Sequence, residues 1–404
     1  MQTRRLMLAG SAALAITPRA RGQARPIIRV GMLQDASGPY SHLGGRLSLE
    51  CARQAILELP EGRAFDVELI SADHRNSPDT GTAIARQWLA DGVDAIMEFN
   101  NSAIALSVNA LIRDADRVML ANNVGSAELS GKSCTPNMTH WTFDTAMLAR
   151  VVGNAVYDQG GKSWYFIRAD YVFGRDLAND TAAVVRSRGG TVLGESALPV
   201  GSTDYAAALL AAQSSGAQVV ALALAGSDLL NCIKQAAEFG VDASGQKLAA
   251  LIIYPQNVRA LGLEIVQGIY CTESFYWDLN DRTRGFARRV MARTSGMPPH
   301  MGAAGAYSAM RHYLKAVAEL GPAAAKRSGR EAVARMKQIP VEDDVLSHAS
   351  LRADGRVVSD VFLFQVKTPA ESHGEWDLYT LRATVGPERA WRPMAEGGCS
   401  LAHT

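Results

Sequence analysis

The chain has 404 residues, which is more than a single hydrophobic core usually serves, so two domains are expected. Its 41 lysines and arginines nearly balance 40 aspartates and glutamates, and no basic block stands out. Nucleic acids and anionic membrane surfaces both require a clustered positive patch, so neither is an expected partner.

The first residues have the pattern of an export signal. Arg4 and Arg5 precede an apolar run, Leu6–Ile16, and small residues follow up to Ala24. This predicts a signal peptide over residues 1–24 and a periplasmic location for the mature protein. The paired arginines suggest the twin-arginine route, although such pairs also occur in ordinary signals. The alternative is a buried N-terminal helix, since the run is shorter than the ~18 residues of a membrane span.

After this segment, short apolar strands alternate with amphipathic helices. The predicted strands are Ile27–Gln34, Phe65–Ile70, Val93–Phe99, Val118–Ala121, one beginning at Lys162, Thr191–Ala197, Gln218–Leu224, Lys247–Ile253 and Ile269–Thr272. The predicted helices include Thr80–Leu89, Ile104–Ala115, Asp176–Arg188, Asp204–Gln213, Leu229–Phe239, Arg284–Thr294, Gly302–Leu320 and Glu331–Lys337. This order predicts an α/β fold of parallel sheets covered on both faces. The alternating pattern of Val357–Val366 and Trp376–Thr384 predicts a final antiparallel hairpin.

Hydroxyl, amide, acidic, glycine and aromatic residues recur in the turns that follow these strands. Open parallel sheets bind their ligands at the carboxyl ends of strands, so these turns are predicted to meet in a polar cleft with aromatic walls. Any one of them alone would be ordinary turn chemistry. The candidate ligand-binding residues are Tyr40, Asn101, Ser102, Asn123, Gly125, Ser126, Tyr171, Phe173, Gly226, Asp228, Tyr254 and Gln256.

No motif of a catalytic or cofactor site is present. The sequence has no Gly-x-Ser-x-Gly, no His-Glu-x-x-His and no Gly-x-Gly-x-x-Gly. In the segment Gly125–Ser133, five residues separate the glycines where a phosphate-binding loop has four, which favours an ordinary loop. We therefore expect no enzyme activity and no cofactor. A periplasmic hydrolase with a dispersed triad remains a remote alternative, because triads are recognised by geometry.

The five cysteines permit disulfides in an exported protein. Cys51 and Cys232 fall inside helical patterns, which favours buried thiols. Cys134 lies in a loop and Cys399 in a glycine-rich tail, so these two are the better candidates for a single disulfide. No Cys-x-x-Cys spacing occurs, which argues against a zinc site.

Four segments together resemble one known family. They are Ser37–Gly45, Ala169–Arg175, Val366–Ser372 with Trp376-Asp377, and the Gly398-Cys399 tail. The set is similar to the type I periplasmic solute-binding proteins of branched-chain amino acid importers, and the similarity covers essentially the whole mature chain. It implies two Rossmann-like lobes joined by three crossovers, with residues 25–141 and 273–346 in lobe 1. Residues 142–272 and 347–404 would form lobe 2.

The resemblance also implies roles for particular residues. The serine that binds the ligand carboxylate in this family falls on Ser102, and an aromatic residue of lobe 2 falls on Phe173. A second hydroxyl position falls near Gly125, next to Ser126. The acidic partner of the ligand ammonium falls in the turn 254–256, which contains no acid.

Carboxylate capture is therefore expected, and an aromatic or other non-amino carboxylate is favoured over leucine-like amino acids. Asp228 and Asp170 are left open as substitutes for the missing acid.

The expected function is that of a periplasmic substrate-binding protein of an ABC importer. It would capture a small organic carboxylate, either an aromatic acid or an amino acid, between two closing lobes. The implied partners are the solute and the permease subunits in the inner membrane, and the protein itself is expected to be a monomer. The alternative on the same scaffold is a ligand sensor that reports to a membrane signalling partner.

Overall fold

The structure is a computed structural model that describes residues 25–242 and 245–403. The predicted signal peptide lies outside these residues. Within the described part of the chain, no helix is both long and apolar enough to cross a bilayer.

The first lobe is built on a five-stranded parallel sheet with the order β2-β1-β3-β4-β5. The strands are β1 (Ile27–Gln34), β2 (Asp66–Asp73), β3 (Ala95–Glu98), β4 (Val118–Ala121) and β5 (Met138–His140). The helices between them are α1 (Gly45–Leu57), α2 (Pro78–Ala90) and α3 (Ser102–Asp114). Every residue of β3, β4 and β5 is buried, as expected for strands covered on both faces.

The chain then passes to the second lobe, whose parallel sheet has the order β7-β6-β8-β9. A helical segment precedes it, made of α4 (Thr145–Leu148), a π-helical stretch (Ala149–Gly153) and α5 (Asn154–Asp158). The strands are β6 (Ser163–Ala169), β7 (Thr191–Leu198), β8 (Val219–Ala223) and β9 (Lys247–Ala250). The helices are α6 (Val172–Ser187), α7 (Ala206–Ser214), α8 (Gly226–Glu238), α9 (Pro255–Leu261) and α10 (Leu263–Val266).

The remaining chain returns to the first lobe and then to the second. Its helices are α11 (Asp281–Met291), α12 (Met301–Leu320), α13 (Pro322–Arg327), α14 (Gly329–Gln338) and α15 (Pro387–Ala390). Its strands are β10 (Tyr270–Glu273), β11 (Ser350–Leu351), β12 (Val357–Val358), β13 (Val361–Val366) and β14 (Tyr379–Val385). β13 pairs antiparallel with both β10 and β14, which confirms the predicted hairpin.

Helices α11 and α12 lie against the first lobe. The side chain of Arg293, just after α11, donates to Glu50 of α1 at 2.9 Å, and the Tyr307 hydroxyl of α12 donates to Glu58 at 2.6 Å. The late helices therefore complete the first lobe although they follow the second sheet in sequence. The exact lobe boundaries stay a prediction.

The C-terminal tail is also fixed to the first lobe. Cys134 and Cys399 form a disulfide with their Cα atoms 5.6 Å apart, which is the pair that the sequence favours. The Arg392 guanidinium donates to the Ala127 carbonyl at 2.8 Å. The other three cysteines, Cys51, Cys232 and Cys271, are buried free thiols.

Candidate functional site

The carboxyl ends of the two parallel sheets face each other across a narrow cavity. Its volume is about 370 Å³, which suits a small molecule. It is lined by Tyr40, Leu43, Asn100, Ser102, Asn123, Gly125, Phe143, Tyr171, Phe173, Ala225, Ile252 and Tyr254.

Seven of the predicted ligand-binding residues line this cavity: Tyr40, Ser102, Asn123, Gly125, Tyr171, Phe173 and Tyr254. The five that are not among its lining residues are Asn101, Ser126, Gly226, Asp228 and Gln256. The turns chosen from the sequence do come together, but not every polar residue in them points at the cavity.

Ser102 is the first residue of α3, and the preceding residue caps that helix. The Asn101 side-chain oxygen accepts from the backbone N–H groups of Ala103 and Ile104 at 2.9 and 3.1 Å. Asn101 is thus a typical N-cap. Its amide nitrogen donates to the Asn76 side-chain oxygen at 2.6 Å, so neither end of the amide is free for a ligand. The Ser102 Oγ accepts from the Ser126 backbone N–H at 3.1 Å, so its own hydrogen remains to donate.

A buried carboxylate, Glu98, holds the two asparagines of the cavity wall. It accepts from the side-chain amides of Asn100 at 3.0 Å and Asn123 at 3.1 Å, and from Asn122 through its second oxygen. Burial raises the pKa of Glu98, and the amide donors act in the opposite direction. All three contacts are donated by amide N–H groups, so both Glu98 oxygens act as acceptors. Glu98 is fully buried and already engaged, so it is not free to pair with a ligand ammonium.

The backbone around Glu98 is unusual. Glu98, Phe99 and Asn100 have consecutive positive φ angles of 82°, 78° and 25°. Such angles are unfavourable for residues other than glycine and persist only where the surroundings fix them. Here the hydrogen bonds of Glu98 and the bond from the Asp35 N–H to the Asn100 side-chain oxygen, at 3.2 Å, supply that constraint.

Aromatic rings from both lobes form the walls. The Tyr40 hydroxyl donates to the Tyr171 hydroxyl at 3.0 Å, across the gap between the lobes. Tyr254 meets Phe143 edge to face, with ring centroids 6.4 Å apart. Burial is the largest cause of the raised pKa of Tyr40, Tyr171 and Tyr254, so their hydroxyls are neutral at pH 7.

The far side of Tyr254 stacks on His300 with centroids 4.1 Å apart. Burial lowers the pKa of His300 to about 3, and its Nε2 lies 2.5 Å from the Leu43 carbonyl oxygen. A neutral imidazole donating to that carbonyl satisfies both observations. His300 therefore supports the wall of the cavity without placing a charge beside it.

The predicted residues outside the cavity lining have other contacts. The Asp228 carboxylate accepts from the Gly201 N–H at 3.0 and 3.1 Å, and burial raises its pKa to about 6. The Gln256 amide donates to the Pro298 carbonyl at 2.7 Å. Gly226, at φ 62°, leaves room for the ring of Tyr40, which a Cβ atom would approach to 2.6 Å. Asp170 is exposed and paired with Arg168, away from the cavity.

Five lining residues were missed in the sequence analysis: Leu43, Asn100, Phe143, Ala225 and Ile252. Asn100 belongs to the same turn as the candidates Asn101 and Ser102, but the direction of its side chain depends on the local φ angles. Phe143 lies in the first connection between the lobes, where no periodic pattern marks it. No group of three or more His, Cys, Asp or Glu is arranged to hold a metal ion among the residues described.

Two α/β lobes with a cavity between the carboxyl ends of their sheets define a class of proteins that hold a small solute between two domains. The chain matches the periplasmic binding protein family model over residues 27–374, and it belongs to that family. The family is one of binding proteins, not enzymes, and its members are periplasmic. The expected fold class is therefore confirmed.

Two solved structures resemble the chain over nearly its whole length. A periplasmic binding protein from Burkholderia mallei is 37% identical, with a TM-score of 0.89, over 93% of this chain and 98% of that one. A branched chain amino acid ABC transporter periplasmic ligand-binding protein from Burkholderia xenovorans is 32% identical, with a TM-score of 0.81, over 93% of this chain and 100% of that one.

More distant similarities extend the comparison. A Leu/Ile/Val-binding protein homolog of Brucella melitensis is 24% identical over 55% of this chain, and the match spans 58% of that relative's length. An ABC transporter solute-binding protein of Rhodopseudomonas palustris, solved in complex with benzoate, is 18% identical with a TM-score of 0.78, over 93% of this chain and 99% of that one. At that identity the likeness shows the fold alone.

Proposed function

We propose that this protein is the solute-binding component of an ABC importer and that it captures a small organic carboxylate in the cavity between its lobes. Ser102 is the feature that carries the proposal. It is buried at the start of a 13-residue helix, its hydroxyl hydrogen is left to donate, and it lines the cavity. The amino end of a helix adds a dipole that favours an anion, so no arginine is needed.

The aromatic walls favour an aromatic acid over a leucine-like amino acid. Tyr40, Phe143, Tyr171, Phe173 and Tyr254 enclose a slot that suits a flat ring. An amino acid would also bring an ammonium group, and burying it unpaired would cost several kcal/mol. One buried acid behind the wall, Glu98, is occupied by asparagine amides. The Rhodopseudomonas neighbour was solved in complex with benzoate, an aromatic acid of the kind proposed here.

The remaining parts of the proposal follow from the family. The partners would be permease subunits of the inner membrane, the protein would act as a monomer, and residues 1–24 would direct its export, by the general or the twin-arginine route. The lobe division would follow 25–141 with 273–346 and 142–272 with 347–404. In the structure, however, the tail near Cys399 packs on the first lobe.

The test is isothermal titration calorimetry of the mature protein with benzoate, 4-hydroxybenzoate, leucine and valine. We expect the aromatic acids to bind more tightly than either amino acid, with dissociation constants in the micromolar range or below. Micromolar binding of leucine with no response to aromatic acids would contradict the choice of ligand but leave the transport role intact.

An uptake assay distinguishes a role in transport from the role of a ligand sensor. Cells that lack the protein should lose uptake of the labelled acid and regain it when the gene is restored. Normal uptake in the deletion strain, together with a lost transcriptional response to the acid, would instead support the sensor alternative.

A further inference from the structure

One hydrogen bond joins the two lobes directly behind the cavity. The Ser126 hydroxyl, from the turn after β4 in the first lobe, donates to a carboxylate oxygen of Asp176 in α6 of the second lobe at 2.6 Å. Ser126 is fully buried. Its two partners belong to different lobes, so the bond links the lobes directly.

Ser126 also contacts Ser102, the residue proposed to donate a hydrogen bond to the ligand carboxylate. Its backbone N–H donates to the Ser102 Oγ at 3.1 Å. That bond occupies a lone pair of the Ser102 oxygen and leaves the hydroxyl hydrogen to point elsewhere, towards the cavity that Ser102 lines. Asp176, Ser126 and Ser102 thus form a continuous chain of hydrogen bonds from the second lobe to the cavity.

We propose that Asp176 is a positioning residue that orients Ser102 through Ser126 when the lobes close. Lobe closure would then strengthen carboxylate binding, because it fixes the Ser102 hydroxyl through Ser126. A bound carboxylate would in turn favour the closed arrangement of the lobes. This inference rests on the proposed function, because it takes Ser102 as the donor to the ligand. Asp176 itself is not among the residues that line the ligand cavity.

The surroundings of Asp176 allow this role. It borders a second, polar cavity of about 560 Å³ of empty space, which Glu128, Lys132, Asp180 and Arg392 also line. Asp176 pairs with Arg175 at 3.8 Å, and the Arg175 side chain is exposed. The Asp176 carboxylate thus links α6 to the turn after β4 through a short hydrogen bond from a buried hydroxyl.

A double-mutant cycle tests the proposal, with 4-hydroxybenzoate as the probe and calorimetry as the measurement. Asp176→Asn and Ser126→Ala should each weaken binding about fivefold or more, and the pair together should weaken it no further than one alone. Asp180→Asn is the matched control. Asp180 lies four residues along the same helix and lines the same second cavity, but its side chain contacts Thr145, whereas the Ser126 hydroxyl donates to Asp176. This variant should therefore leave the affinity unchanged.

The decisive comparison is made in a Ser102→Ala background. If Asp176 acts through Ser102, Asp176→Asn should change the affinity of the Ser102→Ala protein by less than about twofold. A full further loss there would show that Asp176 merely stabilises closure, and would overturn the positioning role. Asp176→Asn that binds like the wild type would also overturn it. If the wild type binds none of the acids, the proposed function fails, and the positioning role with it. Circular dichroism of each variant checks that it is folded.

Discussion

The ring of Phe173 lies directly over Gly125, so that a Cβ atom at position 125 would come within 2.4 Å of the Phe173 Cδ2 atom. Gly125 follows β4 of the first sheet and Phe173 begins α6 beside the second. Two lobes therefore meet at a point where only glycine leaves room for the ring. The close approach completes one wall of the cavity, since both residues line it.

Gly125→Ala should therefore hinder closure on the ligand. Distances below 3 Å are not tolerated by real Cβ atoms, and the Phe173 ring can move only by leaving the cavity wall. We expect the affinity for aromatic acids to fall about tenfold or more, measured by calorimetry. Gly374→Ala is the control, because a Cβ there would meet nothing within 4 Å. Unchanged affinity of the Gly125 variant would show that the lobes do not close as described.

Ser102→Ala should weaken carboxylate binding about tenfold or more, because a hydrogen bond to a charged group is lost. Ser107→Ala, in the same helix, is the matched control: its hydroxyl donates to the Ala103 carbonyl at 2.9 Å on an exposed face. Calorimetry with 4-hydroxybenzoate compares the two. Equal affinities for both variants would show that Ser102 does not bind the ligand.

Much of the fold could be predicted from the sequence. Strands β1 and β4 have the predicted bounds, because apolar runs ended by polar turns are a strong signal. β5, the π-helical segment and α9 were not predicted, since short elements buried at lobe connections lack a clear period. At the site, the sequence located the turns but not the side-chain directions. It chose the helix cap Asn101 over its neighbour Asn100. It did not identify Glu98, whose role depends on the nearby Asn100 and on Asn122 and Asn123, which are distant in sequence.

The disulfide should contribute to stability. It closes a loop of 265 residues and ties the tail to the loop before β5. Replacing both Cys134 and Cys399 with serine should lower the free energy of unfolding by about 2–4 kcal/mol, measured by urea denaturation. Dithiothreitol should reproduce this loss in the wild type and leave the double variant unaffected. Free thiols at both positions in non-reducing peptide mapping would contradict the pairing.

Acidification should destabilise the protein through buried histidines such as His312. Burial lowers the pKa of His312 from 6.5 to about 4, while its Nε2 lies 2.9 Å from the Met336 carbonyl oxygen. Between about pH 4 and pH 6.5, the folded state therefore binds fewer protons at His312 than the unfolded chain does. The contribution of neutral His312 to the free energy of unfolding is fully present above pH 6.5. It decreases as the pH falls, by roughly 1–2 kcal/mol at pH 5.

His312→Gln keeps an N–H group near Met336 but cannot take up a proton. The difference in unfolding free energy between pH 7.5 and pH 5 should therefore be smaller in this variant than in the wild type. His373→Gln, at an exposed position, serves as the control and should leave that difference unchanged. An identical pH dependence in the His312 variant and the wild type would show that His312 does not contribute.

A crystal structure of the protein with 4-hydroxybenzoate would show directly how the cavity holds an aromatic acid. The ligand carboxylate should lie within hydrogen-bond distance of the Ser102 Oγ and the Gly125 backbone N–H. The ring should lie between Phe173 and Tyr254. A ligand bound outside this cavity, or with its carboxylate turned away from Ser102, would contradict the proposed binding mode.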